Sequence, residues 1–378
     1  MEQENSSARA LSIEFTGSGR EYFGIWIVNI LLTILTLGIY TAWAKVRTRK
    51  YFYNNTRVDG AIFDYHANPI AILKGWAIVV VVLIIYQVVF SYNPVYGISM
   101  MAVIMAFIPW AMVRSRVFNM LNTSYRNVRF YFEREYKELY TIFLIAPIPI
   151  IIGYGLIMYQ SIITAESGEV VNMDVMGLGG MLVSVGFLLL PYFTHRFYCF
   201  IISNSSFGRT RFETSSEVGS FYVIYIKGTL LGLLVAVILG LLFWGGISLK
   251  DTDNDLLAAI LIGAAILVYV FGLYYVMYYI EASKLNEIWG KTSIDDNKFV
   301  SKLTAWGFTW LILSNTFLIV LTLGIFIPWA TVRMTRYRLN NLVLEVNGDM
   351  DNFIAKGREE MGALGAELGD AMDFEISL

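Results

Sequence analysis

Charged residues are scarce in this sequence. They make up 15% of its 378 residues, whereas soluble domains carry about 25%. Hydrophobic residues make up 57%, and stretches such as residues 75–111 and 228–249 contain no charge at all. Apolar runs of about 18 residues or more are long enough to cross the hydrocarbon core of a bilayer. The composition therefore excludes a soluble globular protein and predicts a polytopic membrane protein.

Cysteine and histidine are scarcer still. Cys199 is the single cysteine, which excludes an intramolecular disulfide and a cysteine metal cluster. His66 and His195 are too few for a histidine-rich metal site. The sequence also lacks the common nucleotide-binding, metalloprotease and hydrolase motifs, and it has no basic soluble domain to hold nucleic acid. We therefore expect no enzyme activity, no metal, no cofactor and no nucleic-acid partner.

A repeated phrase indicates the architecture. Residues 36–47 read TLGIYTAWAKVR and residues 322–333 read TLGIFIPWATVR, with shorter echoes at 107–114 and 189–196. A repeat of this kind indicates that one structural unit was copied along the chain. Each copy ends in an arginine, followed eight residues later by an asparagine and then by a short segment rich in β-formers. The pairs are Arg47 with Asn55, Arg114 with Asn122, Arg196 with Asn204, and Arg333 with Asn341.

The repeat predicts an all-α membrane protein of five helical hairpins, that is, about ten transmembrane helices with short cytoplasmic β segments between the hairpins. A degenerate fourth copy has Ala282 at the arginine position. The predicted membrane domain, 1–348, divides into units at about 11–60, 61–128, 129–210, 211–295 and 296–348, and residues 349–378 form an acidic tail. The predicted helix pairs are 21–36 with 39–55, 69–91 with 95–122, 137–162 with 177–204, 217–247 with 256–289, and 301–321 with 324–341.

The β segments at the two ends are incomplete. Between hairpins, a β segment has two short strands, one after the asparagine and one that ends in an aromatic residue. Before the first hairpin only the second strand is present, at 12–15, and after the last hairpin only the first, at 342–346. We expect these two segments to pair, because an unpaired strand edge invites aggregation. Pairing would close the units into a pseudo-fivefold ring. The alternative is five separate ribbons with loose ends.

The distribution of charge predicts the orientation. Basic residues cluster at the arginine ends of the repeats, and acidic residues such as Glu169, Asp174, Asp251 and Asp253 cluster at the opposite turns. Because cytoplasmic loops carry an excess of Lys and Arg, we expect the arginine ends and both termini to be cytoplasmic. The acidic tail either docks on this basic face or is disordered.

The segment FTGSGREYFGIWIVNILLTILTLGIYTAWAKVRTRKYFYNNT (15–56) strongly resembles the YjgN family of bacterial inner-membrane proteins. The resemblance covers most of the chain, down to the end of the tail, FEISL. It implies a multi-span protein of the Gram-negative inner membrane. The family is a domain of unknown function, so the resemblance implies no functional residue, and any mechanism has to come from the residues themselves.

Hairpins one and five are shorter than the others. Leu37 to Arg47 spans 10 residues, against 20 from Pro94 to Arg114. The inbound run of unit one, from Glu21 to Thr36, is also seven residues shorter than that of unit two, from Pro69 to about Ser91. Seven residues are about two helical turns, or roughly 10 Å. We expect both hairpins to stop short of the outer surface and, if the ring closes, to leave a recess there. Short segments in corresponding repeats indicate a transport site; the alternative is a bilayer that thins locally.

Polar and aromatic residues at repeated positions are the candidate ligand-binding residues. The asparagines would line a polar path or make a cross-helix hydrogen bond. The arginines, each with an aromatic residue one turn away, would converge on a phosphate or carboxylate, or else only anchor the protein at the interface. The set is Asn29, Asn315, Arg47, Arg114, Arg196, Arg333, Trp43, Trp110 and Trp329, with Tyr192 in unit three.

Lys227 lies about ten residues into the fourth inbound run. An ionisable group at such depth is a functional candidate and needs a partner. We predict a buried ion pair between Lys227 and Glu281, which alternatively only replaces the missing arginine of unit four.

These features predict a transporter, or a protein that handles lipids or anionic solutes, with a recess between the short first and last hairpins. Membrane lipids with anionic headgroups are the expected partners. The alternative is a membrane scaffold that transports nothing and recruits partners through its cytoplasmic β segments and acidic tail.

Overall fold

The computed structural model describes residues 9–145, 147–168, 170–250, 254–348, 350–355 and 357. Within these ranges the chain forms eleven helices and ten strands. The helices are α1 (Gly19–Leu35), α2 (Thr41–Asn54), α3 (Pro69–Tyr92), α4 (Pro94–Leu121), α5 (Tyr136–Ile145), α6 (Pro147–Ser167), α7 (Met173–Ser203), α8 (Val218–Lys250), α9 (Asp255–Gly290), α10 (Ala305–Leu321) and α11 (Ile327–Asn340). The strands are β1 (Arg9–Phe15), β2 (Thr56–Val58), β3 (Ala61–Tyr65), β4 (Thr123–Tyr125), β5 (Val128–Phe132), β6 (Ser205–Phe207), β7 (Thr210–Thr214), β8 (Thr292–Ile294), β9 (Asn297–Ser301) and β10 (Leu342–Val346).

The prediction of an all-α fold is wrong, because the β segments form a sheet of their own. In the described part of the chain, ten antiparallel strands close into a barrel in the order β1-β10-β9-β8-β7-β6-β5-β4-β3-β2. The expected pairing of the first and last segments is present, with Leu11 of β1 opposite Leu344 of β10. Strands of three residues, such as β2 and β4, cannot stand alone, and closure gives every edge a partner.

Five units share this barrel. Each begins with one strand, leaves as a helical hairpin, returns, and ends with a second strand that pairs with the first. Unit one is β1-α1-α2-β2, unit two β3-α3-α4-β4, unit three β5-α5-α6-α7-β6, unit four β7-α8-α9-β8 and unit five β9-α10-α11-β10. Each helical hairpin is therefore connected at both of its ends to one small sheet.

The interior of the barrel is filled with side chains. Val128 is fully buried and Leu11 nearly so. Narrow barrels of this kind leave room for side chains and no channel. Four phenylalanines at matching strand positions stack in sequence, with ring centroids 6.3, 6.5 and 6.2 Å apart. They are Phe63, Phe130, Phe212 and Phe299.

Ion pairs join the tight turns at one end of the barrel. Arg126, in the turn between β4 and β5, bonds Asp59 of the turn between β2 and β3 at 2.9 Å. Asp59 also bonds Arg9 of β1 at 3.0 Å. Behind this network, burial raises the pKa of the Tyr125 phenol, whose hydroxyl donates to the Val58 carbonyl oxygen at 2.7 Å.

The first residues of the acidic tail dock on this end of the barrel. Met350 and Ile354 are buried, and Phe353 stacks on Phe207 of β6 with centroids 5.7 Å apart. Asp351 bonds Arg126 at 2.6 Å. This docking agrees with one of the two expectations for the tail. Residues 358–378, like Glu169, Asp251 and Asp253, lie outside the described residues.

The helices also form a closed ring, in which the outgoing helix of each unit packs on the incoming helix of the next. The ring closes where α11 meets α1. There the Arg336 Nη2 donates to the Gly17 carbonyl oxygen at 2.7 Å. A Cβ atom on Gly19 would lie 2.2 Å from the Trp329 ring, so only glycine fits this joint. Units one and five are therefore neighbours in both the sheet and the helical ring.

The prediction of ten transmembrane helices is also wrong. Among the described helices, six are long and apolar enough to cross a membrane: α3, α4, α6, α7, α8 and α9. In units one and five, α1 and α10 have 17 residues and α2 and α11 have 14. A helix of 14 residues is about 21 Å long, short of the roughly 30 Å needed. In unit three the described inbound residues belong to α5, which ends at Ile145, and to α6, which starts at Pro147.

Glycines allow α6 and α7 to pack closely. A Cβ atom on Gly179 would lie 2.7 Å from Ile157 and 2.9 Å from the Gly153 carbonyl oxygen. A Cβ atom on the next residue, Gly180, would meet nothing within 4 Å. Small residues of this kind bring helix backbones together in membranes, where packing replaces the hydrophobic effect.

We expect Gly179→Val to destabilise the α6–α7 hairpin by about 1–3 kcal/mol, the usual cost of overpacking. The substitution forces a branched side chain against the backbone of α6. Gly180→Val changes helix propensity equally but faces open space, so it is the matched control. The midpoint of thermal unfolding in detergent should fall for the first variant only. Equal midpoints would mean that the two helices do not touch at Gly179.

Candidate functional site

The repeated asparagine ends each outgoing helix in the same way. The Asn55 side-chain amide donates to the Tyr51 carbonyl oxygen at 2.8 Å, and the Asn55 carbonyl oxygen accepts the Thr16 backbone N–H at 2.9 Å. The cap therefore joins the end of a unit to its beginning. Because the arginine lies eight residues earlier, all motif arginines stand about 12 Å from their helix ends. The same side-chain bond recurs from Asn122, Asn204 and Asn341.

In unit four the register differs by one residue from the prediction. The carbonyl oxygen that accepts the equivalent backbone N–H, from Ser215, belongs to Lys291. Eight residues before Lys291 lies Ser283, so Ser283 and not Ala282 occupies the arginine position. Ala282 is buried instead, like Val332 before Arg333 in unit five.

In unit five the predicted residues come together. The Arg333 Nη1 donates to the Asn315 Oδ1 at 2.6 Å, and its Nη2 donates to the Ser314 Oγ at 3.2 Å. The Asn315 Nδ2 in turn donates to the Ala330 carbonyl oxygen at 3.4 Å. Asn315 is 4% exposed. Arginine and asparagine thus satisfy each other and join α10 to α11.

In unit one the equivalent residues are apart. The Asn29 Nδ2 donates to the Ala44 carbonyl oxygen at 3.4 Å and to the Thr48 Oγ1 at 3.3 Å. The Asn29 Oδ1 is buried and, among the described residues, has no hydrogen-bond partner. Arg47, the counterpart of Arg333, is exposed. A buried acceptor without a donor costs about 1–3 kcal/mol. In hairpin five the Arg333 guanidinium donates to the asparagine oxygen, whereas in hairpin one the equivalent oxygen accepts no hydrogen bond from the described residues.

The other two arginines have partners of their own. The Arg114 guanidinium lies over the Trp110 ring, 5.7 Å from its centroid. The Arg196 Nη2 bonds the Glu138 Oε1 of α5 at 2.8 Å. Arg333, Arg114 and Arg196 thus each have a different partner within their own unit.

The predicted tryptophans differ in role. Trp329 packs on Phe23 across the joint between units five and one, with centroids 5.2 Å apart. Trp43 stacks on Tyr40 of its own turn, at 6.2 Å. Trp110 is 45% exposed. Trp329 therefore closes the helical ring, while Trp110 is open to whatever surrounds the protein.

Glu281 of unit four pairs with a residue other than the predicted Lys227. Glu281 bonds Lys284, three residues along the same helix, at 2.9 Å. Lys227 is exposed and, within the described residues, does not reach Glu281. The i,i+3 spacing of Glu281 and Lys284 is the sequence signal that identifies this pair.

Hairpins one and five end in the same tight turn. In both, a leucine adopts a left-handed φ, +50° at Leu37 and +50° at Leu323. The following glycines have φ of +93° and +92°, a conformation that only glycine adopts readily. The Gly38 and Gly324 amides each donate to the carbonyl oxygen five residues back at 2.8 Å.

A threonine completes the turn. The Thr36 Oγ1 donates to the Leu32 carbonyl oxygen at 2.7 Å and accepts the Tyr40 backbone N–H at 2.9 Å. Thr322 repeats both bonds in hairpin five. The backbone of the turn is thus bonded internally, while Leu37 and Leu323 are 91% and 94% exposed. Apolar side chains around an internally bonded backbone suit hydrocarbon and not water.

Comparison with known proteins identifies relatives over nearly the whole chain. A family model described as "Bacterial protein of unknown function (DUF898)" matches residues 10–371. The chain is 28% identical over 364 residues to the inner membrane protein YjgN of Salmonella typhimurium, covering 90% of this chain and 89% of that one. It is 26% identical over 376 residues to the inner membrane protein YjgN of Escherichia coli K12, covering 92% of each. No solved structure matches. The resemblance to the YjgN family is therefore confirmed.

Proposed function

We propose, from the premise that this chain belongs to the bacterial DUF898 family of unknown function, that it moves phosphate-bearing lipids or anionic solutes in the inner membrane. The observation that carries the proposal is the pair of short hairpins. They are neighbours in the helical ring and end in identical apolar turns.

We infer that the ends of these hairpins lie inside the hydrocarbon. Their outgoing helices are too short to cross a bilayer, and their leucine-rich turns need no water for backbone hydrogen bonds. The neighbouring helices in the ring, α3 and α9, are long enough to cross. Above hairpins one and five, the ring therefore has a lateral opening in one half of the bilayer, in line with short repeat segments at transport sites.

The route we propose runs along these hairpins and not through the barrel, whose interior is packed with buried side chains and four neighbouring phenylalanine rings. We place the barrel and the motif arginines at the cytoplasmic surface, since Lys and Arg are enriched there. Arg47 is exposed at that level and is not bonded to Asn29, whose side-chain oxygen has no hydrogen-bond partner among the described residues. An exposed arginine at the foot of the opening would draw a phosphate toward it.

Reconstituted vesicles test the proposal. We expect the purified protein to move fluorescent phospholipid, or trapped inorganic phosphate, between the two sides of the vesicle membrane. Arg47→Gln should slow movement about tenfold, the effect of losing one charge-assisted hydrogen bond. Arg116→Gln, which removes an exposed arginine outside the motif, should leave the rate unchanged.

Movement of neither probe by correctly folded protein would contradict the proposal and favour the scaffold. The specific observation in favour of a scaffold is the docked tail, because the docking of Met350, Phe353 and Ile354 indicates that this end of the barrel can bind a peptide segment. In that case Arg47→Gln would be indistinguishable from the parent protein in every vesicle assay.

A further inference from the structure

A recess of about 380 Å³ opens beside α5 and α7 in unit three. Its charged lining consists of Glu135, Lys137, Glu138 and Arg196. Ile145 belongs to the lining at the far end of α5. The recess is therefore charged where the helices leave the barrel and apolar toward the long helices, the profile of a site for an amphipathic molecule.

We propose that this recess binds a zwitterionic aminophosphate, the phosphoethanolamine group carried by a membrane lipid. The assignment rests on the proposed function, and it names the headgroup and the unit that selects it. Two cations and two carboxylates line the recess, so their formal charges cancel. A headgroup with no net charge matches such a lining, whereas a net anion pairs with the two cations but offers no positive group to the two carboxylates.

Arg196 is the group for the phosphate. Glu138 accepts one hydrogen bond from it, at 2.8 Å, and a guanidinium has five N–H donors in a planar fork suited to phosphate. Its side chain is 41% exposed, so a ligand can reach it. Tyr192, one helical turn away in the same lining, adds a hydroxyl donor.

The carboxylates are the groups for the ammonium. Glu138 is held by Arg196, and the Glu135 carboxylate accepts the Glu138 backbone N–H at 3.4 Å. Both carboxylates are therefore fixed at the start of α5. A primary ammonium donates three hydrogen bonds to such acceptors, whereas a choline group has no N–H to donate. The recess should therefore discriminate by hydrogen bonding as well as by charge.

The volume is consistent with this ligand. Sites for small molecules usually occupy about 300–1,000 Å³, and a phosphoethanolamine group with the first carbons of its acyl chains fits the lower end of this range. Unit five offers no comparable site, because its motif arginine is already bonded to Asn315 and Ser314.

Lipid retention measured by native mass spectrometry tests the proposal on the full-length protein. Phosphatidylethanolamine, phosphatidylcholine and phosphatidylglycerol with identical acyl chains are offered in equal amounts. We expect the ethanolamine lipid to be retained about tenfold over the other two, and Arg196→Gln to abolish that preference. Glu138→Gln should instead raise retention of the glycerol lipid. Equal retention of all three lipids, or an unaffected preference in Arg196→Gln, would overturn the proposal.

Two further variants keep the test informative. Lys137→Gln changes an exposed residue of the recess and should weaken the preference without disturbing the Arg196–Glu138 pair, even if that pair is needed for folding. Arg116→Gln, outside the recess, should leave it unchanged. Soluble phosphoethanolamine as a competitor identifies the source: displacement of the lipid supports a free solute with the same chemistry, and no displacement supports the membrane lipid.

The outcome is separable from that of the vesicle assay. Lipid or phosphate movement without a headgroup preference would contradict the proposed ligand of the recess and would still support the proposed transport function. A preference that depends on Arg196, without any movement across the vesicle membrane, would support the recess and contradict transport.

Discussion

A cysteine placed at Leu323 is expected to escape a membrane-impermeant maleimide in intact cells, whereas a cysteine at Val170 is expected to react completely. The two side chains have nearly the same geometric exposure, 94% and 92%. They differ in what surrounds them. Leu323 lies in the internally bonded turn of a hairpin too short to cross the bilayer, and Val170 lies between two helices that are long enough to cross. Thiolates react only where water reaches them.

The measurement is the fraction of labelled protein before and after detergent is added. The single native cysteine is first replaced, Cys199→Ser, to remove background labelling. Detergent should expose Leu323→Cys to the reagent, which shows that the thiol is competent. Leu37→Cys, in the matching turn of hairpin one, should behave in the same way as Leu323→Cys. Labelling of Leu323→Cys in intact cells would show that hairpin five reaches water, and the lateral opening would not exist.

The helix boundaries can be predicted from the sequence because a repeated residue marks where the outgoing helices end. The asparagine that marks four of the five repeats is the cap of the outgoing helix, bonded through its side chain to the last turn. A predicted pair such as 69–91 with 95–122 therefore agrees with α3 and α4 within a few residues. The expected pairing of strands β1 and β10 follows from counting incomplete β segments at the ends.

The barrel does not follow from the sequence, because four of the described strands have only three residues, too few to show a period. A strand of that length, such as β8, presents two inward side chains. Only the register across five units places Phe63, Phe130, Phe212 and Phe299 in one stack. Alternation of apolar and polar residues is a signal over about four to eight residues. Long-range closure, and not local propensity, stabilises this sheet.

The number of membrane-crossing helices was overestimated for a different reason. Apolar composition identifies a helix that lies in hydrocarbon, but only length shows whether it crosses. The inbound helices of hairpins one and five, α1 and α10, are apolar but have only 17 residues, and the outgoing helices α2 and α11 are both shorter and more polar. The sequence alone already contained that difference in length.

The partners of the candidate residues are also beyond the sequence. Arg47 and Arg333 occupy the same position of the same motif, as do Asn29 and Asn315. One pair is bonded and the other is apart. Ser314, the second partner of Arg333, is replaced by Val28 in hairpin one. Hairpin one therefore lacks the second hydrogen-bond acceptor for its arginine, a difference outside the repeated motif.

Leu11→Lys is expected to destabilise the protein by about 3–5 kcal/mol, the cost of a buried charge without a partner. Leu11 lies opposite Leu344 at the seam that closes the barrel and is 5% exposed. A lysine there must either bury its ammonium among the barrel side chains or pull β1 away from β10. The measurement is the fraction of monodisperse protein left after heating in detergent, compared with the parent protein.

Ala10→Lys is the matched control, one residue earlier on the same strand. Ala10 is exposed and lies opposite Glu345 of β10, so a lysine there gains an oppositely charged neighbour and changes stability by about 0.2–1 kcal/mol at most. If Leu11→Lys survived heating as well as Ala10→Lys, the seam between the first and last strands would not hold the ring. Closure of the ring would then depend on the contact between Gly19 and Trp329, where α1 meets α11. The pairing of β1 with β10 would be a consequence of that helix packing and not its cause.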